Sequence, residues 1–100
     1  MAPAARKDHI LSVACRLASA GTTYDRLTRD QIGAASGVSG SAVQYHFGTM
    51  ANLRRDVMRY AVARGLAAVV AQGLAARDPH ALRAPSAIRE AAIKCLTRNP

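Results

Sequence analysis

Apolar residues recur every three or four positions through most of the chain, which is the spacing of helices that bury one face. The first such run comprises Ile10, Leu11, Val13, Ala14, Leu17 and Ala18, with charged and small polar residues between them. It predicts a first helix that ends near Gly21. No segment alternates as a strand does, so the sequence predicts an all-α fold with a three-helix head, a longer fourth helix and one or two short C-terminal helices.

Short polar residues and glycines mark where the next helices begin and end. Thr28 and Gln31 have the spacing of a capping box, which predicts the start of a second helix. Gly37 suits the left-handed conformation that ends a helix, and Ser39 suits the cap of the next one. A third helix is therefore predicted over residues 39–47.

Thr49 is a preferred N-cap residue and predicts the start of a fourth helix, which we expect to span residues 50–76. We therefore divide the chain into a head, residues 1–49, and a helical extension, residues 50–100. Because the whole chain has 100 residues, the two parts are expected to form one compact domain.

The second half of the predicted fourth helix, residues 62–76, is apolar on nearly every side. One short amphipathic helix near the C-terminus does not cover such a segment, so we expect a second copy of the chain to do so. The sequence thus predicts a homodimer. The candidate dimerisation residues are Leu66, Val69, Val70 and Leu74.

The head contains the parts of a helix-turn-helix. Two capped helices meet through a glycine-containing turn, and Ile32, Val38 and Val43 fill the angle between them. This packing holds the second helix outward at a fixed tilt. The major groove of DNA admits one helix and displays a distinct pattern of donors and acceptors for each base pair. Residues 39–47 are therefore the candidate recognition helix.

The charge of the chain supports a polyanionic partner. Its 14 lysine and arginine residues outnumber its 6 acidic residues, for a formal net charge of +8. Neutralising phosphates releases counterions and favours association, so nucleic acid is the expected partner. The alternative is a solvated basic surface without a specific partner.

The segment LTRDQIGAASGVSGSAVQYHF resembles the DNA-binding domain of the TetR family of transcriptional regulators. The resemblance runs from Ile10 to Leu53 and rests most on the Gly-Val-Ser turn and the Tyr-His-Phe ending. It implies a three-helix DNA-binding head, a fourth helix joining it to a helical body, and dimers that read two half-sites. The chain departs from the family at Gln44-Tyr45-His46-Phe47, where Tyr, one variable residue and then His-Phe are usual, and at Met50, where a lysine is usual. Too few residues follow Phe47 for the family's ligand-binding body, so no small-molecule inducer is expected.

Together, the motif and the basic residues around it define a candidate DNA site. Gln44 is the expected base reader, since its amide can bridge N6 and N7 of adenine. The alternatives are a solvent-facing Gln44, a Tyr45 packed on the first helix, and arginines that are merely solvated. The candidate DNA-binding residues are Arg26, Thr28, Arg29, Ser39, Gly40, Ser41, Gln44, Tyr45, His46, Thr49, Arg54 and Arg55.

Catalytic and cofactor chemistry are not expected. The three histidines and the acidic residues are scattered along the sequence, so no metal site, cofactor or acid–base pair is predicted. Cys15 and Cys95 lack a CxxC spacing and are expected to be buried free thiols. Neither a signal peptide nor a membrane span is predicted, which favours a cytoplasmic protein.

The leading hypothesis is a sequence-specific transcriptional regulator that binds double-stranded DNA at an inverted repeat and acts as a repressor. The short length of the chain would suit a protein of a phage or mobile element. The alternative is a protein-interaction module that keeps the helix-turn-helix fold and binds another regulatory protein or a polymerase subunit. The absence of lysine and arginine from residues 39–47 favours the alternative.

Overall fold

The computed structural model describes residues 2–98, and in this range the chain is all-helical, as predicted. In chain order the elements are α1 (Pro3–Ser19), a 3-10 turn (Tyr24–Arg26), α2 (Arg29–Ser36), α3 (Gly40–Phe47), α4 (Met50–Arg64), α5 (Ala67–Ala75), α6 (Pro79–Leu82) and α7 (Ser86–Arg98).

The predicted caps of α2, α3 and α4 are confirmed. The Thr28 hydroxyl accepts from the Gln31 backbone N–H at 3.1 Å, and the Gln31 side chain accepts from the Thr28 N–H at 2.9 Å, which completes the capping box. Ser39 and Thr49 accept from the first-turn amides of α3 and α4 in the same way. Gly37 ends α2 with φ +77°, in the left-handed region. Local sequence thus sets where these three helices begin.

The prediction of one fourth helix over residues 50–76 is wrong. α4 ends at Arg64, because Gly65 adopts φ +66° and the Leu66 N–H donates to the Ala61 carbonyl at 2.9 Å. This is a Schellman ending, which turns the chain before α5 begins at Ala67. At 15 residues α4 is shorter than α1, which has 17. Three helices follow α4 in the described part of the chain, one more than predicted.

The apolar surface of α5 is covered by helices of the same chain and not, as expected, by a second copy. α5 packs against α1, α4, α6 and α7 of the same chain, and Val69 and Val70 are completely buried there. A Cβ on Gly73 would meet the Met58 Cε at 2.6 Å, so this glycine admits α4 and not a second molecule. The inference that another copy must cover Val69 and Val70 is therefore wrong. Leu66 and Leu74, the other two candidate dimerisation residues, are half-buried.

Two polar side chains connect the C-terminal helices to the head. The Gln72 side chain donates to the Ala18 carbonyl at 3.0 Å and accepts from the Tyr24 N–H at 2.9 Å. The Tyr24 hydroxyl donates to Asp78 at 3.0 Å. Because both partners of Tyr24 come from the C-terminal half, the turn that carries Arg26 is fixed by residues about 50 positions away.

The two cysteines differ in their surroundings. Both are free thiols; Cys15 is buried between α1 and α4, and Cys95 is only half-buried. Burial raises the pKa of the Cys15 thiol to about 11. Cys15 is thus a buried free thiol as predicted, whereas Cys95 is partly accessible.

Neither a membrane-spanning helix nor a metal site is found among residues 2–98. None of the helices there combines the length and apolarity that crossing a membrane requires. Across residues 2–98, no three His, Cys, Asp or Glu side chains come together in a way that would hold a metal ion.

Candidate nucleic-acid interface

The turn between α2 and α3 is held by close backbone packing. The Val38 N–H donates to the Gly33 carbonyl at 2.9 Å, and a Cβ on Gly33 would lie 2.7 Å from the Val38 carbonyl oxygen. Ile32 and Val43 are buried on either side of the turn. Only glycine at position 33 lets α2 approach the turn this closely, so the packing fixes the tilt of α3 relative to α2.

The outer face of α3 is open to solvent. Ser41, Gln44 and Tyr45 are exposed while Val43 and Phe47 point into the core. Tyr45 is 86% exposed, so the alternative in which it packs on α1 is wrong. His46 is half-buried and lies edge-on to the rings of Tyr45 and Phe47. α3 therefore presents neutral polar and aromatic side chains without any lysine or arginine of its own.

A cleft of about 360 Å³ lies between α3 and the starts of α2 and α4, and Gln44 is the exposed residue of α3 that lines it. Thr28 and Thr49, the caps of α2 and α4, both line it. Two helix N-termini therefore border one depression, and the unpaired amides of helix N-termini attract anions. The predicted site residues that line the cleft are Arg26, Thr28, Arg29, Gln44, Thr49 and Arg54.

Arg29 and Gln44 are joined across the cleft. The Arg29 guanidinium donates a hydrogen bond to the side-chain oxygen of Gln44, and both side chains are exposed. The sequence suggested the two residues as separate contacts. Their pairing means that the positive charge of α2 lies directly beside the expected base reader of α3.

The two arginines at the start of α4 have different positions. Arg54 lines the cleft and is half-buried, and its Nε is buried without a hydrogen-bond partner in the described part of the chain. Arg55 lies outside the lining of the cleft and forms an ion pair with Asp56 at 3.3 Å. The structure thus brings Arg54 together with the other candidates but leaves Arg55 apart.

The remaining predicted residues surround the start of α3. Ser39 caps α3, and Gly40 lies against the first turn of α2, where a Cβ would collide with the Asp30 carboxylate. Asp30 is exposed and acidic, so it lowers the positive potential at this end of the interface.

Sequence reasoning missed Lys7 as a charge beside α3. Its Nζ lies 5.7 Å from the centre of the Phe47 ring, at the C-terminal end of α3, and the residue is exposed. The apolar pattern of α1 places Lys7 on the polar face but gives no information about which helix that face borders. Only the packing of α1 against α3 reveals it.

Comparisons with family models, curated proteins and solved structures were made for the whole chain, and none of the three gave a match. The functional assignment therefore depends on the geometry of the interface itself.

Proposed function

We propose that this protein is a sequence-specific regulator of transcription that binds double-stranded DNA through α3 and acts as a repressor by occupying promoter DNA. One observation carries the proposal: Gln44, an exposed residue of α3, borders a cleft that is also lined by the caps of two helix N-termini and by three arginines. An exposed helix of this kind fits a major groove while its flanks face phosphates.

The neutral surface of α3 is compatible with DNA binding because contacts to phosphates and contacts to base edges need different side chains. Phosphate contacts give affinity and position the protein, whereas contacts to base edges give sequence preference. Here Arg26, Arg29 and Arg54 flank the cleft, while Ser41, Gln44 and Tyr45 are exposed on α3. In this proposal the arginines outside α3 bind phosphates, and the neutral side chains of α3 contact the bases.

Salt-dependent binding tests the proposal. Fluorescence anisotropy with a random-sequence duplex should show that log K falls linearly with log salt, with a slope of about −0.9 for each phosphate neutralised. Arg26→Ala should make the slope less steep by about one unit. Arg89→Ala, which removes an exposed arginine from α7, is the matched control and should leave it unchanged. A slope near zero for the parent protein would rule out DNA binding.

We further propose that two copies bind an inverted repeat. Two-fold symmetry would present two α3 helices to successive major grooves about 34–36 Å apart. Since Val69 and Val70 are buried within one chain, these two residues do not contribute to the interface of the proposed dimer. Sedimentation velocity at micromolar concentration decides it: a species of 10.5 kDa, the mass of one chain, that still binds a single half-site would contradict the dimer.

The protein-interaction module remains the second candidate, and exposed apolar side chains favour it. Leu82, Ile93 and Leu96 of the C-terminal half are 44–50% exposed. A folded parent protein that shows no salt-dependent duplex binding would favour this candidate over the regulator.

A further inference from the structure

The contact between Arg29 and Gln44 bears on which base the protein reads. A glutamine amide offers an acceptor oxygen and a donor NH₂ group, and a free glutamine can use both at once on adenine. In this protein the oxygen already accepts from the Arg29 guanidinium. The exposed part of the pair therefore consists mainly of N–H donors from both side chains.

Adenine and guanine differ in the major groove at one position. Both present the acceptor N7, but position 6 carries a donor NH₂ in adenine and an acceptor oxygen in guanine. The guanidinium beside the Gln44 oxygen opposes the approach of a further donor, such as the adenine amino group. It adds donors that suit the O6 of guanine.

We propose that Arg29 and Gln44 act as one reading unit that selects guanine, not adenine, at the base pair facing Gln44. Arg29 is then a specificity-determining residue as well as a positive charge. This inference rests on the proposed DNA binding of α3 and goes beyond it by naming the base.

The position that Gln44 reads has to be located first. Duplexes selected from a random pool by the parent protein and by Gln44→Ala should differ at one base pair, where the variant loses its preference. Circular dichroism and thermal melts of each variant establish that it folds, as expected for changes at exposed side chains.

Base analogues at that position then test the chemistry. Inosine paired with cytosine keeps O6 and N7 and should bind as tightly as guanine. 2,6-Diaminopurine paired with thymine keeps the minor-groove amino group of guanine but carries an amino group at position 6. The parent protein should bind this duplex, and adenine, about tenfold or more weakly.

Arg29→Ala should move the preference toward adenine, because it removes the guanidinium that opposes the approach of the adenine amino group to the Gln44 oxygen. Arg26→Ala removes an arginine of the same cleft that does not contact Gln44, and it should weaken binding to all of these duplexes equally.

The outcomes separate the two proposals. Preference for adenine in the parent, an unchanged preference in Arg29→Ala, or no base pair that depends on Gln44 would overturn guanine reading while leaving DNA binding intact. Absence of duplex binding by the parent at low salt would overturn both.

Discussion

The Tyr24 hydroxyl donates a hydrogen bond to Oδ2 of Asp78 at 3.0 Å, while Oδ1 of the same carboxylate accepts from the His80 N–H at 2.8 Å. The bond joins the 3-10 turn before α2 to the cap of α6, across 54 residues of sequence. Because Arg26 belongs to the same turn, this contact links the stability of the C-terminal helices to the geometry of the candidate DNA cleft.

Tyr24→Phe should lower the free energy of unfolding by about 1.5–3 kcal/mol, the usual contribution of a hydrogen bond to a charged group. Urea denaturation followed by circular dichroism measures this. Tyr60→Phe is the matched control, since the Tyr60 hydroxyl has no hydrogen-bond partner within residues 2–98. Equal losses in both variants would show that the bond to Asp78 contributes nothing specific.

The buried thiol of Cys15 should make the protein less stable at high pH. Its pKa is raised from 9.0 to about 11 by burial, so between these values the unfolded chain releases a proton that the folded chain keeps. The contribution of this thiol to the free energy of unfolding should be unchanged well below pH 9, begin to fall near pH 9 and be lost by about pH 11, a decrease of at most about 3 kcal/mol.

Urea titrations at pH 8, 9, 10 and 11 in the presence of a reductant test this. Cys15→Ala should show a smaller loss of stability than the parent over this range. Cys95→Ala, at the half-buried thiol, should follow the parent. If the free energy of unfolding falls equally with pH in the parent and in Cys15→Ala, the pH dependence is not due to Cys15.

Val69→Glu tests whether α5 belongs to the core of a single chain. Val69 is completely buried, and an unpaired charge there costs several kcal/mol, so the variant should unfold. Ala68→Glu introduces the same charge at the exposed neighbouring position and should remain folded. Circular dichroism with sedimentation distinguishes the cases: a folded monomeric Val69→Glu derived from a dimeric parent would place Val69 between subunits after all.

Lys7→Ala should make the salt dependence of duplex binding less steep, because Lys7 lies near the end of α3. The expected change in slope is about 0.9, the value for one phosphate. Lys94→Ala removes the other lysine of the chain, on α7, and should not change the slope. If the two variants change it equally, DNA does not approach this side of α3 in particular.

The features that sequence predicted correctly are those that depend on neighbours in the chain. Thr28, Ser39 and Thr49 cap helices through amides three residues away, so their roles can be predicted from local sequence. The break at Gly65 had a local signal too, a glycine after the basic Arg64, but the apolar spacing continued past it and favoured one long helix.

The features that sequence did not predict depend on distant contacts. Gln72 reaches Tyr24 from 48 residues away, and the burial of Val69 and Val70 requires four helices to surround α5. The pairing of Arg29 with Gln44 depends on the angle at the turn between α2 and α3. None of these has a fixed sequence spacing that would indicate it.

The most direct test of the DNA-binding interface is a map of the backbone amides that respond to DNA. In ¹⁵N–¹H NMR spectra at low salt, titration with duplex DNA should shift the amides of α3 and those of the first turns of α2 and α4, because these elements border the cleft. The amides of α7 should stay unchanged. Shifts confined to α7, or no shifts at all, would contradict the proposal that α3 enters the major groove.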